Sequence, residues 1–361
     1  MNLLPSSDQR QIIDTLRSFL ANQSPMARFR PPSSQIGNDD AALWPKLGEL
    51  GFLGIGIDEQ SGGIGLGAVE EMLAYREFGR HLLSPAILAV TLAAQLAAAC
   101  GASDELRTLI SGNAAVGLAN PRGPVHIGAQ SHGEFHLFDA DTDADTDAGT
   151  DADTTPWILC STEQATALFT REQFIHAEPV LGIDNVVHLQ RAGLQNAKPL
   201  LWVDGTSSTN STNSNLYLHS LLLIAAYAVG MAEATRDMAV DYAKLREQFG
   251  RPIGAFQAVK HICADMAIRA EAALCQTSFA ALVAHEGKSG IDFHITSAKM
   301  VATKAALDNA AQNIQVHGAV GFTAEASAHL FLKRAHVMDQ LGGDLRRQRE
   351  RLLDLSYPEA A

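Results

Sequence analysis

The sequence predicts a mainly α-helical protein with a small β-domain between two helical regions. Three observations support this fold class. Hydrophobic residues make up 47% of the chain, and many are alanines, which favour helix. Both ends of the chain carry apolar residues at helical spacing, whereas the middle holds short β-prone runs broken by Gly, Pro and Asp. At 361 residues the chain also exceeds one average domain. We therefore expect an N-terminal helical domain, a middle β-barrel or sandwich, and a C-terminal four-helix bundle.

The N-terminal helical domain is predicted over residues 1–112. Ser6 is placed to cap a first helix, in which Leu16 and Leu20 belong to an apolar stripe with helical spacing. A second helical stretch, LWPKLGELGFLGIGI, ends in a glycine-rich turn. A third helix is expected over residues 68–80, and the Ser-Pro pair that follows opens a fourth.

The middle β-domain is predicted over residues 113–205, with an acidic loop at 139–155. Seven aspartates and few apolar residues occupy that loop, so it cannot bury enough surface to fold by itself. A calcium-binding loop starting at Asp143 would need glycine at its sixth position. Ala148 stands there, and the acidic loop is therefore read as solvated.

The C-terminal domain follows a Ser-, Thr- and Asn-rich linker at residues 206–215 and extends over residues 216–361. Its apolar periodicity predicts four long helices, which would pack as an antiparallel bundle. The four predicted helices are residues 216–248, 256–286, 292–317 and 327–355.

Charge and cysteine usage limit the classes of partner and compartment. The net charge of −13 argues against a nucleic-acid partner, which would need a basic face. The four cysteines show no C-x-x-C spacing, so no metal site and no disulfide framework is expected. The chain begins without a signal-peptide pattern and holds no uninterrupted apolar run of about 18 residues. We expect a cytoplasmic protein without a membrane span.

Two C-terminal segments carry a family resemblance. The first is DYAKLREQFGRPIGAFQAVKHICADMA, from Asp241 to Ala267, and the second is NIQVHGAVGFTAEASAHLFLKRA, from Asn313 to Ala335. Together they resemble the two C-terminal signatures of acyl-CoA dehydrogenases, in matching order and separation. The N-terminal LGELGFLGIGIDEQSGGIGLG and the EFGR after it also resemble that family. The resemblance implies a flavoprotein fold that binds FAD and acts on acyl-CoA thioesters.

The residues within these signatures are suited to a nucleotide. Arg246 and Phe249 are three apart, and on a helix they would share one face, with Gly250 ending the helix. The guanidinium fork of an arginine matches a pyrophosphate, and glycines after Gln315 allow close backbone approach. Each residue alone also has an ordinary structural explanation: a charge at a helix end, a core aromatic and a helix cap.

In the family these residues reach across a dimer interface and hold the ADP half of the FAD bound by the neighbouring subunit. The resemblance therefore implies a dimer at least, and a tetramer by extension. One departure is Ala319, where the family usually has a second glycine. The implied cofactor-binding residues are Arg246, Gln248, Phe249, Ile253, Phe256, Gln257, Val259, Gln315, Gly318 and Ala319.

The family's catalytic carboxylate has no counterpart in this sequence. Dehydrogenation needs a base for the α-proton while the flavin accepts the β-hydride. The commoner family position for the base corresponds to Gly342, and the rarer one corresponds to Ser220. Beside the rarer position the family often has arginine, and this chain has Leu221. Neither position can supply a base.

The family's flavin-ring segment is also altered. Its Thr-Glu-Pro-x-x-Gly-Ser-Asp pattern corresponds here to GLANPRGP, residues 117–124, in which only the proline and a glycine match. The ring-binding half is thus eroded, whereas the half offered to a neighbour is intact. This asymmetry favours the base-less subunit of a heteromeric acyl-CoA dehydrogenase, similar to those that act on steroid side chains, with electrons passed to an electron-transfer flavoprotein.

Other interpretations stay open at this point. A self-sufficient homo-oligomeric dehydrogenase would need a displaced carboxylate, with Asp344 as the first candidate and Asp339 and Glu325 behind it. A flavin-dependent monooxygenase of the same fold needs no such base, but the eroded ring segment disfavours it. A scaffold without a cofactor is disfavoured by the retained Arg246 signature.

Overall fold

The computed structural model describes residues 3–29, 39–140, 157–205 and 215–355. Its helices are α1 (Ser7–Gln23), α2 (Trp44–Glu49), α3 (Ala68–Arg80), α4 (Ala86–Ala99), α5 (Ser103–Ile110), α6 (Leu216–Leu245), α7 (Gln257–His285), α8 (Ile291–His317), α9 (Ala328–Gln340) and α10 (Leu345–Asp354). Its strands are β1 (Val116–Pro121), β2 (Ser131–Phe138), β3 (Trp157–Ser161), β4 (Ala165–Thr170), β5 (Ile175–Pro179), β6 (Leu189–Ala197), β7 (Leu201–Asp204), β8 (Glu247–Gln248) and β9 (Arg251–Pro252). In chain order, helical regions therefore precede and follow the strands of the sheet, and the predicted fold class is confirmed.

Helix α1 begins at the predicted cap. The Ser6 hydroxyl accepts a hydrogen bond from the Gln9 amide at 3.2 Å, and the Gln9 side chain accepts one from the Ser6 amide at 2.9 Å. This reciprocal pair is a capping box, which satisfies two amides at the helix start. Leu16 and Leu20 are fully buried, as their spacing predicts.

The middle β-domain is a seven-stranded mixed sheet with the strand order β5-β6-β2-β1-β3-β4-β7. Strands β1 and β3 run parallel, and the other neighbours are antiparallel. Phe135, Phe169 and Phe174 meet edge to face on its buried side, with ring centroids 5.8 Å apart for each of the two pairs. Such edge-to-face geometry stabilises an aromatic core.

The first residue of the acidic loop, Asp139, is held by two side-chain hydrogen bonds. Asp139 accepts a hydrogen bond from the His188 amide at 2.9 Å and another from the Ser84 hydroxyl. These bonds hold its backbone at a left-handed φ of 48°, which an aspartate tolerates better than most residues. Asp139 is therefore a structural residue, and the rest of the predicted acidic loop, residues 141–155, lies outside the described residues.

The chain divides into two compact units that do not follow its order. One unit takes residues 1–36, 68–83 and 221–361, and the other takes residues 37–67 and 84–220. Helix α3 therefore belongs with the C-terminal helices, whereas α4 and α5 belong with the sheet. The three domains predicted from the sequence are segments in chain order, and they remain a prediction that this division by contacts does not test.

Within the helical unit, α3 and α6 are in close contact through two glycines. A Cβ added at Gly79 would lie 1.9 Å from the Tyr227 carbonyl oxygen, and one added at Gly230 would lie 1.9 Å from the Arg76 carbonyl oxygen. Beside the glycines, Arg76 forms a salt bridge with Glu233 at 2.7 Å. The two helices thus pack backbone to backbone, and only glycine fits at these positions.

The fourth predicted C-terminal helix, residues 327–355, is wrong as a single helix. The chain forms α9 and then α10, separated by the turn Leu341-Gly342-Gly343-Asp344. The φ angles are 67° at Gly342 and 94° at Gly343, and this left-handed backbone ends a right-handed helix. The glycine pair was the signal for the break.

Helix α6 is also long and apolar enough to cross a membrane. Its most apolar 18-residue window is buried entirely inside the protein. No other helix of comparable length among the described residues meets that test.

Candidate functional site

The first signature forms a β-hairpin instead of continuing α6, which ends at Leu245. The predicted helical face shared by Arg246 and Phe249 is therefore wrong. The short strands β8 and β9 pair antiparallel, with Gln248 opposite Arg251. Between them Phe249 has a φ of 55° and Gly250 a φ of 75°. Two consecutive left-handed residues form the tight hairpin turn whose twist matches that of the flanking strands.

The hairpin packs through one aromatic ring. Phe256 meets Phe249 edge to face, with centroids 6.0 Å apart, and carries the Arg251 guanidinium 4.3 Å above its own ring. Phe249 is 92% exposed, so this edge contact covers little of it. The hairpin tip thus presents an aromatic ring to the surroundings, and the exposed residues Arg246 and Arg251 flank it in the sequence.

The second signature ends beside the first. The ring of His317, the last residue of α8, stacks on Tyr242 of α6 with centroids 4.1 Å apart. Below this contact, Val316 packs with Ile253 and Val259 in a small core cluster. The structure therefore brings the two signatures together at one end of the helical unit.

The ten predicted cofactor residues fall into two groups. Ile253, Phe256 and Val259 are partly buried and support the hairpin and the start of α7. The other seven are exposed at the surface of that end: Arg246, Gln248, Phe249, Gln257, Gln315, Gly318 and Ala319.

These exposed residues suit the ADP half of FAD. They offer a cation, three side-chain amides and an aromatic ring, which are groups that bind pyrophosphate and adenosine. Gly318 has a φ of 62°, and no atom lies within 4 Å of a Cβ placed on it. The backbone there is open to close approach by a ligand. The donor set therefore fits the cofactor that the family resemblance implies.

The commoner base position is closed to a side chain. A Cβ on Gly342 would lie 2.5 Å from a methyl carbon of Leu221 and 3.5 Å from one of Ile224. Leu221 is fully buried in α6, so its side chain has little room to move. A glutamate at Gly342 would also need a left-handed backbone. Glycine therefore fits this turn, whereas any larger residue would be strained there.

Gln348 and Lys299 hold this turn from inside the helical unit. The Gln348 amide donates to the carbonyl oxygens of Gly342 at 2.7 Å and Gly343 at 3.2 Å. The Lys299 ammonium donates to the carbonyl oxygens of Met338 at 3.1 Å and Asp339 at 3.2 Å, at the end of α9.

The side chain of Lys299 is fully buried. Burial lowers the pKa of Lys299 to about 8, against the attraction of the Asp339 and Asp344 carboxylates. Sequence reasoning missed both Lys299 and Gln348, because their partners are set by tertiary contact. A lysine among the apolar positions of a helix was the available signal for Lys299.

The substitute carboxylates have structural roles. Asp344 accepts a hydrogen bond from the Arg347 amide at 2.9 Å and caps α10. Asp339 accepts one from the Leu345 amide at 3.0 Å, and partial burial raises its pKa. Glu325 is exposed, and hydrogen bonds with its own backbone and with Thr323 lower its pKa. Capping accounts for Asp344 and Asp339, so neither needs a catalytic role to explain its position.

The rarer base position, Ser220, is buried in the apolar start of α6. Its hydroxyl donates to the Tyr217 carbonyl oxygen one turn earlier, at 2.7 Å. Serines within helices commonly satisfy their hydroxyls in this way. The position therefore holds no group that could remove a proton from carbon.

The segment that corresponds to the family's flavin-ring segment, residues 117–124, forms part of strand β1 and the residues directly after it. Asn120 and Pro121 are paired with His136 and Phe135 of β2. The Arg122 amide extends the ladder by donating to the Glu134 carbonyl oxygen at 2.9 Å. These groups are engaged in strand pairing, which agrees with the loss of the family's hydroxyl-rich pattern.

The described part of the chain was also searched for a metal site and for surface depressions away from the signatures. No group of three or more His, Cys, Asp or Glu side chains there could hold a metal ion. A surface depression of about 280 Å³ lies on the sheet between β2, β5 and β6. None of the predicted site residues lines it.

Comparison with known proteins agrees with the resemblance. Residues 6–108 match the acyl-CoA dehydrogenase N-terminal domain, and residues 214–354 match the acyl-CoA dehydrogenase C-terminal domain. Acyl-CoA dehydrogenase IpdE2 of Mycobacterium tuberculosis is 30% identical over 342 residues, covering 94% of each chain. Acyl-CoA dehydrogenase FadE34 of the same organism is 33% identical over 319 residues, which are 83% of this chain and 40% of the longer relative.

Solved structures show the same fold. The ChsE4-ChsE5 complex from Mycobacterium tuberculosis aligns with a TM-score of 0.80 at 22% identity, covering 99% of this chain and 100% of the other. Butyryl-CoA dehydrogenase from Megasphaera elsdenii aligns with a TM-score of 0.77 at 19% identity, covering 98% and 99%. With the converging signatures and the near full-length match to IpdE2, these likenesses lead to one conclusion: the chain belongs to the acyl-CoA dehydrogenase family of oxidoreductases.

Proposed function

We propose that this chain is the non-catalytic subunit of a heteromeric, FAD-dependent acyl-CoA dehydrogenase. One contrast carries the proposal: the end holding Arg246, Phe249 and Gln315 is exposed and suited to a nucleotide, whereas the turn at Gly342 is closed by Leu221. A chain that keeps the nucleotide-binding groups but has no base at the turn is suited to serve a cofactor that is bound mainly by another chain.

In this proposal the partner chain supplies the base and most of the flavin-ring pocket. The FAD, when bound, supplies the acceptor for the hydride removed from the acyl-CoA thioester. Arg246 binds the pyrophosphate charge, Gln315 donates its amide to the same region, and Phe249 packs against the adenosine. Gln248, Gln257 and the open backbone at Gly318 and Ala319 complete the half-site.

The substrate class is an acyl-CoA that undergoes α,β-dehydrogenation. The Leu-Gly-Gly stretch resembles subunits that act on steroid side chains, and this favours a steroid-derived acyl group. We further propose that the complex is a cytoplasmic tetramer and passes electrons to an electron-transfer flavoprotein.

The test is FAD stoichiometry of the purified chain, alone and co-produced with a second acyl-CoA dehydrogenase chain encoded beside it. We expect a colourless chain alone and a yellow complex with less than one FAD per polypeptide. Arg246→Ala should remove most FAD from the complex, because it deletes the pyrophosphate cation. Arg349→Ala removes another exposed arginine, on α10, and should leave FAD content unchanged.

A different result would support the self-sufficient dehydrogenase. If the chain alone binds one FAD per subunit and an acyl-CoA bleaches it, the subunit proposal is wrong. Unchanged FAD content in the Arg246→Ala complex would refute the contribution of this half-site directly.

A further inference from the structure

Two histidines of the middle β-domain face each other across a β-bridge, away from both signatures. His126 and His132 pair antiparallel, and the backbone amide of each donates to the carbonyl oxygen of the other at 3.0 Å. The two residues are therefore direct cross-strand neighbours, and their side chains lie on the same face. Six residues separate them in the sequence, a spacing that by itself predicts no shared site.

The distance between the two rings suits a single metal ion. Their centroids are 5.4 Å apart, and their planes are tilted by 33°. A zinc ion lies about 2.1 Å from a ligating histidine nitrogen, and thus about 3.2 Å from the centroid of that ring. Two rings at a tetrahedral angle around one ion then have centroids about 5.2 Å apart. The observed separation is close to this value, so a small side-chain adjustment completes the chelate.

The nitrogens of both rings are available to a ligand. His126 and His132 are exposed, and within the described part of the chain their rings make no hydrogen bond or ion pair. A neutral imidazole offers one nitrogen lone pair, which makes histidine the commonest metal ligand in proteins. The pair therefore holds two donors that no other protein group occupies among the described residues.

The loop between the two histidines is closed by hydrogen bonds. The Ser131 hydroxyl donates to the Gly128 carbonyl oxygen at 2.9 Å and accepts a hydrogen bond from the Gly128 amide at 3.1 Å. Ser131 and Ile127 are buried, which anchors both sides of the loop. A Cβ added at Gly128 would lie 3.3 Å from Nε2 of His126, so glycine leaves this ring its room. Because the backbone is already fixed, an ion has only side chains to order.

We propose that His126 and His132 form a surface site for one divalent transition-metal ion of the zinc type. Imidazole nitrogens suit zinc, copper and nickel, whereas magnesium and calcium prefer oxygen ligands. Structural zinc sites have four protein ligands and catalytic ones three. With two, this site leaves positions open to water or to an external donor, and its ion is exchangeable. The site is independent of the proposed function, because neither histidine belongs to the cofactor half-site or to the turn at Gly342.

The test is a calorimetric titration of the full chain, purified without a polyhistidine tag, with ZnCl₂ at neutral pH. We expect saturable binding of one Zn²⁺ per chain and no saturable binding of MgCl₂. Either His126→Ala or His132→Ala removes one ligand and should weaken the Zn²⁺ affinity at least about 10-fold. Loss of a residue that merely orients a metal ligand already costs about 10- to 100-fold.

Stability measurements on the same proteins provide a second readout. Excess ZnCl₂ should raise the unfolding midpoint of the native chain, because an ion that binds only the folded state stabilises it. The double variant of His126→Ala and His132→Ala should show no such rise. Without metal, its midpoint should lie within about 2 °C of the native value, since surface substitutions change stability little.

His261→Ala is the matched control. It removes another exposed histidine, on α7, and should leave the Zn²⁺ affinity unchanged. An equal loss of affinity in this variant would show dispersed binding by surface histidines and would overturn the inference. So would the absence of saturable Zn²⁺ binding by the native chain, or native affinity in the double variant. FAD content enters none of these measurements, so failure of the metal site leaves the proposed function standing.

Discussion

The two ends of helix α6 differ in exposure and in packing. At its C-terminal end, the hairpin at Phe249 is exposed, strained and rich in groups that suit a nucleotide. Near its N-terminal end, Leu221 packs against the turn at Gly342, where Gln348 and Lys299 satisfy the carbonyl groups. The hairpin end combines exposure with a left-handed backbone, whereas the turn end is packed and hydrogen-bonded.

The largest expected effect is a loss of stability at the contact between α3 and α6, in the middle of the helix that joins the two ends. Gly230→Ala places a methyl group 1.9 Å from the Arg76 carbonyl oxygen. Neither backbone can yield, so we expect a loss of about 4 kcal/mol in the free energy of unfolding. Urea denaturation of the free chain measures it. Gly123→Ala, with no atom within 4 Å of the added methyl, should be nearly neutral, and equal losses in the two variants would contradict the close helix contact.

The second prediction sharpens the comparison at the closed end. Gly342→Glu restores a carboxylate at the family position but should lower the free energy of unfolding by about 3 kcal/mol, through backbone strain and the clash with Leu221. The double variant Gly342→Glu with Leu221→Ala should lose at least about 1 kcal/mol less than the sum of the losses in the two single variants, as expected for residues in contact.

Acyl-CoA oxidation by the free chain provides the functional readout for this pair. We expect none in either variant, since the missing base is not the only departure from the family. Activity in Gly342→Glu alone would show that the turn accepts a carboxylate, and would contradict the closed site. Additive losses in the double variant would contradict the Leu221 contact.

The third prediction concerns the pH dependence of the closed end. The pKa of Lys299 is about 8 in the fold and near 10.4 when unfolded, so between these values the unfolded chain binds the extra proton. The free energy of unfolding of the native chain, relative to Lys299→Met, should therefore rise as pH increases from 8 to about 10.5. We expect a change of about 2 kcal/mol. Parallel denaturation of the two proteins across this range measures it, and a flat difference would show that Lys299 keeps its proton throughout.

The smallest predicted effect separates capping from catalysis at Asp344. Asp344→Ala removes the cap of α10 and should lower the free energy of unfolding by about 1 kcal/mol, while Asp344→Asn keeps a capping oxygen and should change it little. In the assembled enzyme, both variants should retain turnover of acyl-CoA. Loss of turnover in Asp344→Asn with normal stability would identify Asp344 as the base and support the self-sufficient alternative.

How far the sequence predicted this molecule depended on the range of the interactions involved. The Ser6 cap, the apolar stripe of α1 and the bounds of α3 are local signals, and the structure confirms them. The hairpin was missed because a spacing of three between Arg246 and Phe249 also fits a helix face. Only the backbone of Phe249, imposed by strand pairing, tells the two apart.

The turn at Gly342 likewise depends on long-range contacts that the sequence alone did not reveal. The glycine pair at 342 and 343 signalled the break between α9 and α10, but not what replaced the base. That information lies in Leu221, which is more than a hundred residues away in sequence, and in Lys299, whose partners follow it by 39 and 40 residues. Such contacts are set by tertiary packing, which periodicity does not encode.

Helix α6 also fixes a distance. From Leu221 to Leu245 it is continuous, and at 1.5 Å per residue this separates the closed turn from the hairpin by about 36 Å. One inserted residue would displace the hairpin by about 1.5 Å and rotate it by about 100° relative to Leu221. A change in length within this helix would therefore move its two ends relative to each other, which a substitution at either end would not do.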